Sequence, residues 1–436
     1  MTGIMQSALG NWNVPSAAAA ASLVYNLDGT LGALPGASIT TSASFNGSTQ
    51  NLSVSNSTAL NPGTGDFTIE FWTYLNSTTN NASFYRGNNN GVDVFMNGSG
   101  RLAMGQAQIA TLITDSVTMT TGAWVHVAVV RSSGTTTLYK NGTSVGSAGD
   151  SNNYVTDSVN YIGTQGSLYV NGYISNLRVV IGTAVYTTAF TPPTVTLRAI
   201  AGTALLLPLT ATPFTDMSTN LLAVTNTGTT VTSAQAPTLT AATTDFTGTY
   251  TITTANAGAS VSYNSANGGV FAKSNATGTD VIYGGPNYVT AQSYTVFMAY
   301  QLSATSAGRL LNTQSEAVKD WLMGAYNGNP NTFYPNFSVN LPSTGADTAW
   351  HFGWATWDTT TSTGQLWIAT NTQPTTYTYT ATNGAGGGFN QLRLFSRSSG
   401  SEVQSGNIGF VKVYNGVLST ATIQAQYAAF KTRFGY

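Results

Sequence analysis

The segment DFTIEFWTYL, residues 66–75, alternates large apolar side chains with smaller or polar ones. In an extended chain Phe67, Ile69 and Phe71 fall on one face, and this period of two predicts a half-buried β-strand. A second segment, SYTVFMAY at residues 293–300, alternates in the same way. The two segments therefore predict two copies of one strand, about half a chain apart.

Further pairs of segments recur in the same order along the chain. They are HVAVV at 126–130 with HFGWA at 351–355, LYKN at 138–141 with LWIA at 366–369, and GYISNLRV at 172–179 with GNIGFVKV at 406–413. The nearly constant offset, 225 to 234 residues, predicts two homologous domains with loop insertions rather than a short-period solenoid.

The local pattern predicts an all-β protein. Short alternating runs are separated by Asn-Gly pairs at 46–47, 97–98, 141–142 and 171–172. Asn-Gly between alternating runs is a strong hairpin signal, because both turn residues must accept a positive φ. Many short strands at this spacing predict antiparallel β-sandwiches.

We expect three regions along the 436 residues. Residues 1–36 would be an N-terminal arm that attaches the protein to a partner, residues 37–200 a first sandwich and residues 201–436 a second. The apolar run 204–209 would be the entry strand of the second sandwich, since its leucines are costly to leave in water.

One helix is predicted at residues 419–433, at the C-terminal end of the chain. Ser419 is a suitable N-cap, and apolar residues recur on one helical face at Ile423, Tyr427, Phe430 and Phe434. We expect this helix to lie on the second sandwich as a structural lid.

The composition is unusual in its low charge. Charged residues make up 7% of the chain, against about 25% in typical proteins, and the net charge is −1. There is no basic patch for nucleic acid or an anionic membrane, and there is no cysteine. Without an evident signal peptide, we expect a virion protein that is assembled in the host cytoplasm.

The chain resembles a tandem of laminin-G-like, concanavalin A-like lectin domains. The carrying segments are SFNGS at 44–48, GDFTIEFW at 65–72, WVHVAVVR at 124–131, LYKNG at 138–142, YIG at 161–163, GYISNLR at 172–178 and YTTAFTPP at 186–193, and in the second half 406–415 with the C-terminal helix. The resemblance implies two tandem jelly-roll sandwiches. The closing segment and the helix are similar to domains in virion proteins of tailed bacteriophages, including marine ones.

Individual motif residues are expected to have packing roles. Trp72 and Trp124 would fill the core between two sheets. Arg178 and Lys412 would reach a carboxylate or a carbonyl oxygen at the sheet edge.

The sequence argues against an enzyme. Glycoside hydrolases on this type of fold use two neighbouring carboxylates, whereas Glu70, Glu316 and Glu402 are the only glutamates and none has a nearby acid. His126 and His351 are expected to be structural, at matching positions of the two repeats. With two histidines and no cysteine, a zinc site of the usual kind is also not expected.

Two kinds of binding site follow from the resemblance and the chemistry. Laminin-G-like domains often bind Ca²⁺ at a loop rim, which implies the loop carboxylates as ligands, although turn formation is the better explanation for them: Asp66, Asp93, Asp115 and Asp157. A glycan site needs aromatic rings and amides at a rim, and the candidates are Tyr85, Asn88, Asn89 and Tyr154. No cofactor other than Ca²⁺ is expected.

The function expected first is that of a non-enzymatic virion structural protein of a tailed phage, a capsid decoration or a tail appendage. It would bind other virion proteins through its arm and form a homo-oligomer on the particle. The alternative is an adhesin that binds host surface glycan, and the third hypothesis is a secreted polysaccharide hydrolase.

Overall fold

The structure is a computed structural model, and it confirms an all-β architecture with one C-terminal helix. It describes residues 21–28, 38–79, 81–156, 158–228, 230–255, 261–264, 270–275, 281–287, 292–303, 308–313, 321–326, 329–335, 348–369, 377–380, 390–396 and 402–436. Most of the expected arm, Asp157 and Glu316 lie outside these residues. Within them, no helix has the length and apolar character needed to cross a lipid bilayer.

The first 18 strands run from the N-terminal region to the middle of the chain. They are β1 Ser22–Asp28, β2 Ser42–Asn46, β3 Asn51–Val54, β4 Phe67–Leu75, β5 Ala82–Gly87, β6 Val92–Met96, β7 Arg101–Gln106, β8 Ala110–Thr118, β9 Trp124–Ser132, β10 Thr135–Lys140, β11 Thr143–Gly149, β12 Asn160–Ile162, β13 Thr164–Gln165, β14 Leu168–Tyr169, β15 Asn171–Ile181, β16 Thr203–Leu207, β17 Val224–Thr227 and β18 Val231–Ser233. A 3-10 turn, Thr58–Leu60, lies between β3 and β4.

The remaining elements belong to the second half of the chain. They are β19 Thr253–Ala255, β20 Val261–Asn264, β21 Val270–Lys273, β22 Val281–Asn287, β23 Tyr294–Leu302, β24 Gly308–Thr313, β25 Trp321–Tyr326, β26 Asn329–Pro335, β27 Trp350–Asp358, β28 Thr363–Ala369, β29 Tyr377–Thr380, β30 Asn390–Leu394, β31 Gly406–Asn415 and α1 Thr420–Phe434.

The strands form two sandwiches with matching strand order. Sandwich 1 has a front sheet in the order β11-β10-β9-β4-β15-β2-β18 and a back sheet in the order β17-β3-β12-β5-β6-β7-β8. Sandwich 2 has a front sheet in the order β29-β28-β27-β23-β31-β21-β20 and a back sheet in the order β19-β22-β30-β24-β25-β26. Strands β4 and β23, which the alternation predicted, occupy the same place in the two front sheets.

Each sandwich buries one face of each sheet. Phe67, Ile69 and Phe71 belong to the core of sandwich 1, as the alternation predicted. Val296 and Met298 lie in the core of sandwich 2. The outer face of the first front sheet is covered by the segment 184–190, which packs on β9 and β10.

Helix α1 covers the outer face of the second front sheet. Ser419 Oγ accepts a hydrogen bond from the Thr422 amide at 3.3 Å, and Gly435 ends the helix with a left-handed φ of 81°. Tyr427 and Phe430 pack against Phe352 of β27. The predicted helix and its apolar face are therefore confirmed.

Four strands lie on the other side of the expected domain boundaries. Strand β16 pairs with β15 in sandwich 1, and β17 and β18 also join the sheets of sandwich 1, so the run 204–209 is not an entry strand of sandwich 2. Residues 22–28, expected to be part of an arm, form β1, which pairs with β31 in sandwich 2. The expected domain boundaries are wrong because these strands pair with sheet edges that belong to the other expected region of the chain.

Strands β16 and β1 occupy equivalent positions. In sandwich 1, β2 and β16 pair with successive parts of the same edge of β15. In sandwich 2, β21 and β1 pair with successive parts of the same edge of β31. Unpaired backbone N–H and C=O groups along a sheet edge are costly when buried. In sandwich 1 this edge strand is β16, which follows β15 in the sequence. In sandwich 2 it is β1, which comes from the N-terminal segment.

The two sandwiches share a junction. Leu205 and Leu207 face the core of sandwich 1, whereas Leu206 of the same strand belongs to the core of sandwich 2.

Strand β1 is also held by two polar contacts. The backbone amide of Asn26 in β1 donates to Asp245 Oδ2 at 2.9 Å. Asp28, at the end of β1, forms a buried ion pair with Arg433 of α1 at 2.7 Å.

Two tryptophans lie outside the core that the sequence predicted for them. Trp72 is half-buried on the outer face of the front sheet, where it packs against a small apolar cluster that contains Ile39 and Leu239. Trp124 is also half-buried and lies next to Tyr74 on that face. The alternation of β4 places Ile69 and Phe71 inside, so Trp72 points away from the core.

Deletion of β1 tests the role of this strand. A variant lacking residues 1–20 should melt like the full chain, because β1 remains. A variant lacking residues 1–28 should lose more than about 5 kcal/mol of unfolding free energy, since it loses several buried apolar side chains and exposes the edge of β31. Scanning calorimetry measures both, and equal melting of the two variants would show that β1 is dispensable.

Candidate functional site

A cavity of about 350 Å³ opens on the solvent-facing side of the back sheet of sandwich 1. Its lining is polar and contains one charged side chain. We call it the polar cavity, and its lining residues are Asn51, Arg86, Asn88, Gln108, Tyr161, Thr164, Gln165 and Gly166.

The pairing register of the back sheet determines which side chains form the floor of the polar cavity. Tyr161 in β12 is directly opposite Arg86 of β5 on one side and Ser53 of β3 on the other. The next residue, Ile162, is buried in the core of sandwich 1. Because side chains alternate along a strand, Tyr161 and Arg86 project from the opposite, solvent-facing side.

Two loops and a hairpin form the walls. Asn88 follows β5 and donates through Nδ2 to Ser158 Oγ at 3.1 Å. Gln108, in the turn between β7 and β8, donates through Nε2 to Asn88 Oδ1 at 3.4 Å. Thr164 Oγ1 donates to the carbonyl oxygen of Leu168 at 3.0 Å and closes the β13–β14 hairpin. These bonds hold the walls in place without a ligand.

Arg86 is fixed by an acidic partner on the next strand. Arg86 and Asp93 are directly opposite in β5 and β6, and the Arg86 Nη1 group forms an ion pair with Asp93 Oδ2. Ser83 Oγ donates to the other oxygen, Oδ1, at 2.6 Å. Burial raises the pKa of Asp93, while the hydrogen bond from Ser83 and the charge of Arg86 oppose that rise.

One wall residue presents an unsatisfied acceptor. The Oε1 atom of Gln165 is buried and has no hydrogen-bond partner in the part of the chain that the structure describes. An unpaired buried acceptor costs about 1–3 kcal/mol. Because this atom is sealed from solvent, it does not face the open space of the polar cavity.

The four glycan candidates from the sequence are in different environments. Tyr85 and Tyr154 are buried in the core of sandwich 1, so the expectation of exposed rings at a rim is wrong for both. Tyr85 donates to Asn160 Oδ1, and Tyr154 packs edge-on against Phe67. By contrast, Asn88 lines the polar cavity, and Asn89 is half-buried in the turn that follows it.

The three described carboxylates of the Ca²⁺ prediction each have a protein partner. Asp66 Oδ1 accepts from the Ser133 amide at 2.8 Å, Asp93 pairs with Arg86, and Asp115 pairs with Lys140. No group of three or more acidic, histidine or cysteine side chains suited to a metal occurs among the described residues. The structure does not bring these carboxylates together, and Ca²⁺ binding stays a prediction.

Glu70 is held in a buried network beneath the segment that covers the front sheet. Arg178 Nε donates to Glu70 Oε1 at 2.9 Å, and the Tyr186 hydroxyl donates to Oε2 at 2.8 Å. His126 Nε2 lies 3.4 Å from Oε2. The predicted contact of Arg178 with a carboxylate is confirmed, but its partner lies on β4 in the middle of the front sheet and not at a sheet edge. A carboxylate buried in this way is not accessible to a substrate.

The two histidines are not at matching positions. Both are fully buried, but His126 pairs across the sheet with Trp72 on the outer face, whereas His351 pairs with Tyr300, a core residue of sandwich 2. The structural equivalent of His126 is Phe352. The match of residues 126–130 with residues 351–355 was therefore one residue out of register. A shift of one residue along a strand moves every side chain to the other face of the sheet.

A second concavity, of about 550 Å³, has only uncharged lining residues. It lies beside residues 38–40 and 234–240 and presents no ionisable side chain. The polar cavity is therefore the candidate site. Sequence reasoning missed Arg86, Tyr161 and Gln165 there, although the spacing of Arg86 and Asp93 around the NNNG turn at 88–91 was a usable hairpin signal.

One known protein family matches the first sandwich. Residues 46–195 match the family Laminin_G_3, described as the concanavalin A-like lectin/glucanases superfamily. This match confirms the resemblance that the sequence predicted over those residues. A comparison with curated proteins gave no match.

Several solved structures have distant similarity to part of this chain. A "putative carbohydrate binding protein" from Bacteroides ovatus is 17% identical with a TM-score of 0.36, over 45% of this chain and 60% of that protein. Domain 4 of a GH43 extracellular arabinanase from Geobacillus stearothermophilus, in complex with arabinotriose, is 15% identical with a TM-score of 0.27, over 39% of this chain and 84% of that domain. Domains LG4-5 of the mouse laminin α1 chain are 11% identical with a TM-score of 0.28, over 86% of this chain and 89% of that structure.

The Glu70 network predicts an acid-sensitive sandwich 1. Burial alone would raise the pKa of Glu70, but the nearby His126 and Arg178 outweigh burial and hold that pKa below its ordinary value of 4.5. A carboxyl with a lowered native pKa stabilises the fold above about pH 4.5, and this stabilisation is lost as the pH falls through the native pKa. At pH 7, Glu70→Gln should therefore cost about 3 kcal/mol of unfolding free energy.

The difference between wild type and Glu70→Gln should shrink as the pH falls below 4.5. Urea titrations from pH 3 to pH 8 measure it, with Asp358→Asn in sandwich 2 as the control. A difference that stays constant over this range would show that the carboxylate charge of Glu70 does not stabilise the fold.

Proposed function

We propose that the protein is a non-enzymatic carbohydrate-binding protein whose ligand occupies the polar cavity of sandwich 1. The observation that carries this proposal is the lining itself. It combines four amide side chains, one phenol and one buried guanidinium on a preformed sheet surface. Its volume is in the range of small-ligand sites.

The lining suits a ligand rich in hydroxyl groups. A sugar hydroxyl both donates and accepts, and an amide side chain does the same with its NH₂ group and carbonyl oxygen. Tyr161 adds a half-buried ring with a polar tip, a combination suited to the apolar face and the hydroxyl rim of a pyranose. Because hydrogen bonds within the protein already hold the walls in place, ligand binding costs less conformational entropy.

The chemistry of the lining also supports binding without bond cleavage. Hydrolysis of a glycosidic bond uses two carboxyl groups on opposite sides of the bond. None of the residues that line the polar cavity is an aspartate or a glutamate. Of the described glutamates, Glu70 is buried beneath the front-sheet cover, and Glu402 forms an ion pair with Arg309.

The setting that we propose is the surface of a tailed-phage particle. The protein would serve as a capsid decoration or a tail appendage, with several copies attached to other virion proteins through residues 1–20. Support comes from the uncharged polar surface and from the resemblance of the closing segment and the C-terminal helix to virion domains. Binding of host surface glycan is compatible with this setting.

Glycan binding is tested with the full chain and soluble host polysaccharides. We expect binding that free oligosaccharide competes away, and Tyr161→Ala should weaken it at least 10-fold, which corresponds to about 1.4 kcal/mol. Tyr74→Ala is the matched control, because Tyr74 is a half-buried tyrosine on the opposite sheet. Equal loss in both variants, or no binding of any glycan, would contradict the proposal.

The virion setting has a separate test. We expect particles purified from a lysate to contain the full-length chain in a fixed ratio to the major capsid protein, as measured by quantitative mass spectrometry. The variant that lacks residues 1–20 should fold but should be absent from particles. Full incorporation of that variant would overturn attachment through the N-terminal segment.

A further inference from the structure

We propose that sandwich 2 contains a strand-acceptor site that takes β1 from a second copy of this chain. The site is the groove between β31 and residues 245–247, which we call the strand slot. Exchange of β1 links copies of the protein into a homo-oligomer, and it does not depend on glycan binding. Three features carry the proposal: the contacts of the strand slot, its charge, and its separation from β1 in the sequence.

The strand slot holds β1 along both edges. One edge of β1 pairs with β31. On the other edge, the Asn26 amide donates to Asp245 Oδ2 at 2.9 Å, and the Phe246 amide donates to the Asn26 carbonyl oxygen at 2.8 Å. Tyr25 and Leu27 belong to the core of sandwich 2. Since a second copy carries an identical β1, the same contacts form when that copy supplies the strand.

The charge of the strand slot is complementary to the end of β1. Two buried cationic side chains adjoin that end, Arg433 of α1 and Lys412 of β31. Asp28 of β1 is 1% exposed and forms its ion pair with Arg433 at 2.7 Å. Burial lowers the pKa of Lys412, and the charge of Asp28 opposes that shift. Because buried cations without an acidic partner are costly, the strand slot favours a strand that ends in an acid.

Strand β1 and its slot lie far apart in the sequence. β1 ends at Asp28, and β31 begins at Gly406, so a ribosome needs about 20–80 s to synthesise the roughly 380 residues between them. A neighbouring chain whose sandwich 2 has just formed competes for β1 during that time. In sandwich 1 only residues 182–202 separate β15 from β16, so the corresponding strand is available at once.

The connection from β1 to sandwich 1 limits which copies can be joined. Residues 29–37 lie between β1 and Ser38, and nine residues span at most about 30 Å. The exchanged strand therefore joins copies that lie side by side. In a closed pair each copy donates and receives β1, which fills both slots with two-fold symmetry.

Single-cysteine variants of the full chain test the exchange directly. The protein has no cysteine, and Ser22 is directly opposite Asn415 in the pairing of β1 with β31. Co-expressed Ser22→Cys and Asn415→Cys chains should form a disulfide-linked pair on oxidation, because β1 of one copy in the slot of the other brings the two thiols together. The control is Thr143→Cys with Asn415→Cys, since Thr143 is exposed on sandwich 1. Its yield reports random collision and should be at least about 10-fold lower.

The double variant Ser22→Cys, Asn415→Cys shows whether the two positions can form a disulfide. If it does so, but the mixed single-cysteine chains are linked no more often than the Thr143→Cys control, the proposal is wrong.

A pair of charge reversals tests the exchange without a disulfide. Asp28→Arg and Arg433→Asp each place like charges in the slot of their own chain, whereas a reciprocal pair of the two variants restores opposite charges in both slots. Co-expressed, they should form heterodimers in native mass spectrometry and melt at a higher temperature than either variant alone. Asp358→Arg with Arg433→Asp is the control without this gain, because the Asp358 carboxylate contacts Thr360. A mixture that stays monomeric, or melts no higher than the separate variants, would overturn the proposal.

Discussion

A β-sheet has two faces, and a sandwich buries only one face of each sheet. This constraint determines what the four large sheets of the protein do with their outer faces. The front sheet of sandwich 1 is covered by the segment 184–190, and the front sheet of sandwich 2 by helix α1. The outer face of the first back sheet carries polar side chains and a concavity, which makes it the surface suited to a ligand.

The two covers explain why equivalent positions carry different chemistry. Beneath the first cover, Glu70 pairs with Arg178, and the Tyr186 hydroxyl completes the set. In sandwich 2 the position of Glu70 is Phe297, which stacks on Phe352 under the aromatic face of α1. The first cover thus contributes a hydroxyl group to a buried charge network, whereas the apolar helix accompanies an aromatic cluster.

The edges of the sheets explain how the two sandwiches are joined. The edge of β15 is completed by β16, and the edge of β31 is completed by β1 from the far end of the chain. Because Leu206 of β16 packs into the core of sandwich 2, the edge strand of one sandwich is part of the core of the other. The junction is therefore built from the same strands that finish the sheets.

Sequence alone predicted what depends on local pattern. The alternation at 66–75 and 293–300 identified equivalent strands, and the stripe from Ile423 to Phe434 identified the helix. The positions of β1 and β16 could not be predicted, since they depend on which distant edge lacked a partner.

The polar cavity was missed for a related reason. Its residues come from β3, β5, β12, two loops and a hairpin, and only strand register brings them together. Tyr85 and Tyr154 were candidates because tyrosine is common at glycan sites, but both rings are buried in the core of sandwich 1.

The crystal structure of the full chain with a neutral host oligosaccharide tests the central claim most directly. The account predicts a sugar ring in the polar cavity, in contact with Tyr161, with a hydroxyl oxygen that accepts a hydrogen bond from Arg86. A sugar bound elsewhere on the protein, or a glycosidic bond found cleaved between two carboxylates, would contradict it.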